Sequence, residues 1–535
     1  MTLNDACLRV KKIAKPQPSV TLPGMKKKIG HGFGLLVGMV LSTSAFSASN
    51  IAANFIDIQS VRNSIKKENA QWQAKESWVT HLSQSDIQRM LGLKTPPQGT
   101  LDFEGLSTLV NLGPSSIDWR NYNGVNWLGP VMNQGNCGSC VAFATVATLE
   151  ARTSVATGAP WLAPSFSPQE VFACGGGGCA SGWLPDEAAD YLKRTGTVDE
   201  ACMPYTSGVT GEDVECNQKC SDSKSRTSKI ISYSMPSSYG GSVDAVKAAL
   251  KKGPLITTLM VYGDFMTYAS GVYKHVTGSA LGGHAVSLVG YDDTKRAWLI
   301  RNSWGKEWGE NGFGWISWDD KSGVGADTWA MEIAATQNFL SVTSPVDRDY
   351  VSGAYQLGVQ TQGMKDSAIR VHLKGPDGGL LNALDCSVKT DKGCSTQIDT
   401  TQLHEGRYEI FADGGTTKSQ MREFYVINSE PKMSLTMSAA PGTNLGAPLS
   451  ERPEFLIKAS FSPVPIQKLE FRVYDMTGKL VLSKMTDTVL ESMRMGWRVM
   501  TVADGQYKIL YHGESVYKGK TYSVDSNSFN VTVKK

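Results

Sequence analysis

The sequence has no excess of charge of either sign and no long apolar run after its first 50 residues. Its 535 residues contain 53 Lys and Arg against 50 Asp and Glu, a net charge of +3 that does not suggest nucleic acid or another polyanion as a partner. Later apolar runs fall short of the ~20 residues that a membrane-spanning helix needs. We therefore expect no integral membrane segment in the mature protein, and at this length we expect several domains.

One short apolar run lies near the N-terminus. Met25 is followed by three lysines, by an apolar stretch over 32–47, and by small residues. A basic region, a short apolar region and a small-residue exit are typical of a secretory signal peptide, with cleavage between Ala45 and Ala48. Residues 1–48 are thus interpreted as an N-terminal extension and signal peptide, with the true start at Met25, and the protein is expected to be secreted or periplasmic.

Three short strings carry a thiol, an imidazole and an amide in the chain order Cys, His, Asn. Cys140 lies in Q-G-N-C-G-S-C-V-A-F, His284 in G-G-H-A and Asn302 in R-N-S-W-G. A cysteine nucleophile attacks as thiolate, a histidine moves its proton, and an amide can hold the imidazole in orientation. The apolar run 139–152 predicts a helix that begins at the nucleophile, where the helix N-terminus lowers a thiol pKa.

These strings resemble the papain and cathepsin family of cysteine peptidases. The resemblance extends from about Pro114 to Glu332, includes N-S-W-G-K-E-W-G-E-N-G-F over 302–313, and over 261–292 is greatest to the cathepsin B branch. It implies an α+β fold with a two-lobed catalytic domain over 113–336, a helical left lobe and a β-barrel-like right lobe. It also implies polypeptide substrates and no cofactor.

Cysteine usage agrees with export. Setting aside Cys7 and Cys140 leaves eight of the ten cysteines, an even number that suits four disulfides in an oxidising compartment. A metal site is not expected, because the C-N-Q-K-C string has no second pair or His at zinc-like spacing. By the resemblance, Cys137 pairs with Cys179, Cys174 with Cys216 and Cys202 with Cys220, while Cys386 and Cys394 close a local loop in a later domain.

Residues 49–112, called the leader below, are polar and helix-prone, with Trp72 and Trp78 as apolar anchors. The strings K-K-E-N-A-Q-W-Q-A at 66–74 and L-G-L-K-T-P-P at 91–97 resemble the short propeptide of cathepsin B. By implication the leader covers the cleft until maturation. The alternative is an ordinary helical segment with no inhibitory role.

After about Thr336 short alternating segments separated by Gly, Asp and Asn predict β-structure. G-R-Y-E-I at 406–410 returns as G-Q-Y-K-I at 505–509, a period of 99 residues. This repeat predicts two all-β sandwiches of immunoglobulin or fibronectin type, over 337–430 and 431–535. They are candidates for docking a substrate, a surface or a polymer, or for spacing within an assembly.

Further site residues follow from the resemblance. Gln134 and the backbone N–H of Cys140 would form the oxyanion hole, where losing one donor costs ~3 kcal/mol. The indole of Trp304 would shield the His284–Asn302 hydrogen bond from water. His275, in Y-K-H-V-T, lacks the family context and is expected to be a surface or supporting residue.

The substrate pocket follows from C-A-S-G-W at 179–183, which aligns with the family's C-x-G-G segment. Gly182 would pair with the peptide backbone. Trp183, Pro185 and Trp329 would line the P2 pocket, which predicts an apolar P2 preference and poor acceptance of Arg. A role for Trp329 as simple core is an open alternative.

Two departures from the family stand out. Val141 follows the nucleophile where the family nearly always has Trp, and that change removes packing behind the active-site helix. Only ten residues separate Tyr205 from Cys216, without a His pair. The loop that makes cathepsin B a dipeptide-trimming enzyme is therefore missing, and the open cleft predicts endopeptidase action.

Three functions stay open on the sequence. The first is a secreted, zymogen-type cysteine endopeptidase, which the intact Cys140, His284, Asn302 and Gln134 favour. The second is an inactive relative kept for binding or adhesion, with Val141 as its support. The third uses the same triad to transfer an acyl group to an amine instead of water.

Overall fold

The computed structural model describes residues 56–82, 84–94, 114–334, 339–364, 368–387, 393–415, 417–430, 432–449, 453–462, 466–486, 492–497 and 499–534. The predicted signal peptide and the C-terminal end of the leader lie outside this set. Every structural statement below concerns the described residues.

Helices concentrate in the first half of the described chain. No helix found there has the length and apolar character to cross a bilayer. The α-helices are α1 Ile58–Lys67, α2 Gln84–Met90, α3 Cys140–Thr157, α4 Pro168–Gly175, α5 Pro185–Arg194, α6 Ser207–Thr210 and α7 Val243–Leu250. The 3-10 helices are Trp78–His81, Pro160–Leu162, Cys216–Gln218, Ser223–Arg226, Gly263–Thr267, Thr400–Gln402 and Val499–Thr501.

Strands of the first half form one sheet, and those of the second half form four smaller sheets. The former are β1 Trp72–Ala74, β2 Ser116–Asp118, β3 Ser232–Ser237, β4 Leu255–Tyr262, β5 Tyr268–Tyr273, β6 Ala280–Asp292, β7 Ala297–Arg301, β8 Phe313–Ser317 and β9 Thr328–Glu332. The latter are β10 Phe339–Ser344, β11 Asp349–Val351, β12 Ala354–Gln362, β13 Ala368–Lys374, β14 Leu380–Ser387, β15 Cys394–Asp399, β16 Gly406–Asp413, β17 Arg422–Val426, β18 Lys432–Ala439, β19 Glu454–Ser462, β20 Lys468–Asp475, β21 Leu480–Thr486, β22 Ser492–Gly496, β23 Gly505–Tyr517, β24 Lys520–Asp525 and β25 Phe529–Val533.

The left lobe is built around α3, which begins at Cys140 as predicted from the apolar run. The helix continues to Thr157, beyond the predicted end at 152, and stops at Gly158, which has a φ of 65°. Glycine suits this left-handed position because it has no Cβ. Nearly every residue of α3 is buried, since α4 and α5 pack on one side and the sheet on the other.

The right lobe is a nine-stranded sheet with the order β1-β5-β8-β7-β6-β4-β9-β3, and β2 pairs with β6. Its central strand β6 is buried over most of its length, which fits its run of β-branched and apolar residues. The edge strand β1 comes from the leader and pairs antiparallel with β5, Trp72 opposite Gly271. The leader is therefore part of the right-lobe sheet.

The C-terminal half forms two β modules with separate cores. The first β module (β10–β17) has sheets β10-β12-β15 and β11-β17-β16-β13-β14. The second β module (β18–β25) has sheets β18-β19-β22 and β21-β20-β23-β24, with β25 on β23. The chain thus has a mixed α+β fold with a β-rich C-terminal half, as expected.

The sequence repeat has a structural counterpart in these modules. Tyr408 donates its phenolic hydrogen to the carbonyl of His404 at 2.9 Å, and Tyr507 donates to Ala503 at the same distance. Each tyrosine is buried at the start of a long strand and bonds to the backbone four residues upstream. The repeated tyrosine therefore makes the same local bond in both modules.

Candidate active site

Cys140 lies at the N-terminus of α3 with its side chain fully buried. Among the described residues it is the one cysteine without a disulfide partner. Burial raises the pKa of its thiol to about 11, while backbone hydrogen bonds from Ala285, Gly92 and Val141 act in the opposite direction. The predicted lowering by the helix N-terminus is therefore outweighed while the sulfur is covered.

His284 on β6 meets Asn302, which follows the last residue of β7. Its Nε2 lies 2.8 Å from Asn302 Oδ1, and the same oxygen accepts the backbone N–H of Ser303 at 2.8 Å. Because that oxygen is an acceptor, a neutral His284 carries its hydrogen on Nε2 and its lone pair on Nδ1. Nδ1 is buried and has no hydrogen-bond partner among the described residues. The imidazole is thus oriented for proton transfer at Nδ1.

The indole of Trp304 packs against the imidazole ring of His284. Its ring centre lies 4.7 Å from that of His284, at an interplanar angle of 32°, and the indole is fully buried. Burial lowers the pKa of His284 to about 4, and the hydrogen bond that its Nε2–H donates to Asn302 opposes this effect. Both the thiol and the imidazole are therefore neutral over the physiological range when the leader is in place.

Gln134 lies beside the nucleophile with its amide oriented by three bonds. Its Nε2 donates to the carbonyls of Cys137 and Met90, each at 2.9 Å, and its Oε1 accepts from Ser303 Oγ at 2.7 Å. Met90 belongs to the leader. A leader carbonyl thus occupies the donor that the sequence resemblance assigns to the oxyanion hole.

The leader continues through the cleft as an extended segment. Gly92 accepts a hydrogen bond from the N–H of Trp183 at 2.7 Å, and the N–H of Lys94 donates to the Trp183 carbonyl at 3.1 Å. On the opposite wall the N–H of Leu93 donates to the carbonyl of Gly283 at 3.3 Å. The segment therefore bridges the two lobes directly over the buried sulfur.

Glycines allow this close approach. A Cβ on Gly92 would lie 1.8 Å from the oxygen of Gly138, and a Cβ on Gly182 would lie 2.1 Å from the oxygen of Gly92. Gly182 also has a φ of 67°. Gly182 thus serves here as a contact surface for the leader, while the backbone bonds in this position are made by Trp183.

The predicted pocket residues lie together on this side of the cysteine. Trp183 and Trp329 are buried in one apolar cluster that also contains Leu93. The indole N–H of Trp329 donates to Asp186 at the start of α5. Leu93 is thus the leader side chain that shares the apolar environment of both tryptophans.

Comparison with known proteins decides the family. Residues 113–333 match the family model described as papain family cysteine protease. Cathepsin B-like CP3 of Giardia intestinalis is 36% identical over 289 residues, covering 51% of this chain and 91% of the relative. Cathepsin B-like protease 1 of Arabidopsis thaliana is 28% identical over 331 residues, covering 51% of this chain and 85% of the relative.

The chain belongs to the papain family of cysteine proteases. Its resemblance to the cathepsin B branch is confirmed, and it is a cysteine-type peptidase. Among solved structures, proCathepsin B S9 from Trypanosoma congolense aligns with a TM-score of 0.44 at 22% identity, covering 53% of this chain and all of that one.

Three disulfides join loops of the peptidase's left lobe, and one lies in the first β module. Cys137–Cys179, Cys174–Cys216 and Cys202–Cys220 are the pairs that the resemblance implied, and Cys386–Cys394 is the local pair expected in the later domain. In the first pair, Cys137 lies three residues before Cys140, and Cys179 begins the 179–183 segment that contacts Gly92. This disulfide therefore ties the N-terminus of α3 to one wall of the cleft.

His275 lies away from the cysteine in a polar network of the right lobe. Its Nδ1 is 2.8 Å from Asp264 Oδ1, and Asp264 also accepts the hydroxyl of Tyr273 at 2.7 Å. The backbone N–H of His275 donates to Asp320 at 2.7 Å. These bonds hold the loop between β5 and β6, which agrees with the supporting role expected from sequence.

Ser303 is a functional candidate that the sequence reasoning missed. Its hydroxyl holds the amide of Gln134 and its N–H holds the amide of Asn302, so one residue orients both. Tyr205 was missed as well; its hydroxyl donates to the carbonyl of Gln134 at 2.8 Å. Ser303 lies inside the N-S-W-G string, but a small residue between two assigned ones gave no separate signal.

A buried ion pair lies directly behind Asn302. Arg301 and Glu150 of α3 are 3.8 Å apart, and both side chains are nearly inaccessible. Burial raises the pKa of Glu150 to about 7, an effect that Arg301 opposes. The pair links the active-site helix to β7, the strand that leads into Asn302.

Proposed function

We propose that this protein is a secreted, zymogen-type cysteine endopeptidase in which Cys140, His284, Asn302 and Gln134 carry the reaction. The observation that carries this proposal is the leader carbonyl of Met90 on Gln134 Nε2, at 2.9 Å and next to the buried sulfur. A carbonyl oxygen in that position is what a substrate would present. The leader thus acts as a non-productive occupant of the site.

The reaction would start once the leader is gone. His284 Nδ1 accepts the thiol proton, and the sulfur of Cys140 attacks the carbonyl carbon of the scissile bond. Gln134 Nε2 and the backbone N–H of Cys140 donate to the oxygen as negative charge forms there. The protonated imidazole then gives its proton to the leaving amine, and a thioester remains.

Water completes the cycle. His284 Nδ1 accepts a proton from water, the hydroxide attacks the thioester carbon, and the sulfur leaves with the acid product released. Asn302 keeps the ring in one orientation during both proton transfers through its 2.8 Å contact with Nε2. Trp304 keeps water away from that bond.

The acyl side of the substrate would follow the wall formed by Gly182 and Trp183. Leu93 of the leader lies in the apolar cluster of Trp183 and Trp329, which supports an apolar side chain at P2. The side chain of Leu93 is nearly inaccessible in that cluster. Arg at P2 is accordingly expected to be a poor substrate.

The β modules are proposed to be of immunoglobulin or fibronectin type. Their paired sheets, shared strand order and repeated tyrosine bond support this class. Four disulfides and the basic and apolar N-terminal segment support export. Docking of a substrate, surface or polymer remains their proposed role.

The test uses protein whose leader has been cut at a protease site placed between residues 95 and 112 and then separated from the peptidase before the assay. An epoxysuccinyl thiol-protease probe should label Cys140, and the enzyme should cleave an internally quenched peptide with Leu at P2. Cys140→Ser should show neither. Absence of labelling and turnover in the processed wild type would contradict the proposal and favour a binding protein. Incorporation of an added amine in preference to hydrolysis would favour the acyl transferase.

A further inference from the structure

The second β module lies at the end of the cleft opposite Trp183. On the left lobe, Val209 of α6 packs against the core of this module. On the right lobe, Glu307 forms an ion pair with Lys468 of β20. Glu307 lies three residues after Trp304, so the module contacts both lobes beside the catalytic residues.

The leader passes between this module and the peptidase. Its 3-10 helix Trp78–His81 and its helix α2 lie there, and the indole N–H of Trp78 donates to the carbonyl of Trp304 at 2.9 Å. Around them is a cavity of about 30 Å³, whose lining includes Trp78 and Leu82 of the leader, Val209 of the left lobe, and Phe471, Lys484 and Tyr511 of the module. Removal of the leader would join this cavity to the cleft.

One charged contact joins the leader to the module. Lys484 Nζ on β21 lies 3.0 Å from Asp86 Oδ1 on α2, and the side chains are 14% and 1% exposed. The carboxylate of Asp86 compensates the charge of this partly buried ammonium. Loss of the leader removes the carboxylate and leaves the lysine in place.

The position of Asp86 relates this lysine to the scissile bond. Asp86 lies four residues before Met90 on α2, which is about 6 Å along a helix. Two residues of an extended peptide span about 7 Å and three span about 10 Å. Since the acyl side of the substrate is proposed to follow Trp183, the side of Asp86 belongs to the leaving group.

The second β module also has contacts that do not involve the leader. Gln467 Nε2 donates to the hydroxyl of Tyr350 in the first β module at 2.7 Å. The first β module is held in turn on the left lobe, where Gln420 accepts the N–H of Ser165 at 2.8 Å. With the Lys468–Glu307 pair, these contacts keep Lys484 at the cleft after maturation.

We propose that Lys484 is a specificity-determining residue that binds a carboxylate on the leaving-group side of the substrate, two or three residues beyond the scissile bond. The carboxylate is an acidic side chain or the terminal carboxylate of the substrate chain. This inference rests on the proposed function. It makes the second β module a wall of the substrate cleft and replaces the open end that the short segment after Tyr205 had predicted.

The experiment compares four peptides that are identical up to the scissile bond. Two carry Asp or Asn at the second and third positions beyond it, within a longer amidated chain. The other two end at the second position, one with a free carboxylate and one amidated. Each is assayed with processed wild type, Lys484→Ala, Lys484→Glu and the control Lys479→Ala, whose lysine is exposed in a turn of the same module.

Wild type and Lys479→Ala should prefer a carboxylate peptide over its neutral partner by roughly tenfold or more in kcat/KM. Lys484→Ala should bring that ratio close to one, Lys484→Glu should invert it, and neither should change kcat/KM for the neutral peptides. A preference in the Asp pair assigns a side chain, and one in the short pair assigns a chain terminus.

An undiminished preference in Lys484→Ala would overturn the inference, as would equal rates for every pair in wild type. Both results leave the proposed peptidase intact, because the neutral peptides are still cleaved. Failure to cleave any peptide would instead contradict the proposed function itself.

Discussion

The side-chain Nε2 of Gln134 donates a 2.9 Å hydrogen bond to the main-chain carbonyl of Met90. The same amide is proposed to stabilise the oxyanion of the reaction, so leader and substrate compete for one donor. Gly92 and Leu93 continue along both walls of the cleft directly after this contact. The proposed latency of this chain would therefore result from occupancy of the active site by the leader.

Gly92→Val should displace the leader from the active site. The new side chain cannot fit, because a Cβ at this position would lie 1.8 Å from the carbonyl oxygen of Gly138, a backbone atom. We expect Cys140 of the intact chain to react with an epoxysuccinyl probe at least about ten times faster than in wild type, measured by mass spectrometry against time. Gln73→Ala, at an exposed leader position, is the control. An unchanged rate would mean that this segment does not limit access.

The sequence could single out the candidate reacting groups because they lie in local strings whose spacing reflects chemistry. Cys140, His284 and Asn302 each had such a string, and the structure brings His284 and Asn302 into contact. The pair of Asp86 and Lys484 had no such signal. The two residues are 398 positions apart, on a helix and a strand that are individually ordinary. Contacts between domains leave no periodic pattern along the chain, so only the fold could reveal them.

The affinity of the leader for the peptidase should fall at both low and high pH, which gives the profile an acid limb and an alkaline limb. The covered His284 has a pKa of about 4 against an ordinary 6.5, so protonation favours the uncovered state as pH falls from 6.5 to 4. The covered thiol of Cys140 has a pKa of about 11 against 9.0, so ionisation favours the uncovered state as pH rises above 9. Each limb weakens binding by about 1.4 kcal/mol per pH unit. The leader should bind most tightly between about pH 6.5 and 9.

This profile can be measured on a chain cut between residues 95 and 112. The quantity is the fraction of cut leader that remains with the peptidase on gel filtration at each pH. His284→Gln should lose most of the acid limb, and Cys140→Ala should lose the alkaline limb. Asp86→Asn separates the contribution of the leader's own carboxylate. Acid release that is identical in His284→Gln would show that another group controls it.

Ser303→Ala should lower kcat without abolishing activity. The hydroxyl holds Gln134 Oε1 at 2.7 Å, so its loss lets the amide rotate away from the oxyanion while the Ser303 N–H still holds Asn302. We expect a fall in kcat of roughly three- to tenfold with little change in KM, against roughly a hundredfold for Gln134→Ala. Ser279→Ala, at an exposed position, is the control. Equal loss in Ser303→Ala and Gln134→Ala would mean that the hydroxyl does more than position the amide.

Tyr408→Phe and Tyr507→Phe should each weaken one β module by about 1 kcal/mol, because the bond from the phenolic hydroxyl to a backbone carbonyl is lost while the ring packing stays. The bonds join residues four apart in both modules, His404 with Tyr408 and Ala503 with Tyr507. Amide hydrogen exchange distinguishes the modules, since faster exchange should appear over 339–426 for Tyr408→Phe and over 432–534 for Tyr507→Phe. Tyr239→Phe, whose ring is 77% exposed in the peptidase, should change neither. The second β module contacts the leader through Lys484, so Tyr507→Phe should also speed probe labelling of Cys140 in the intact chain. Faster labelling in Tyr408→Phe alone would mean that the first β module, and not the second, holds the leader in place.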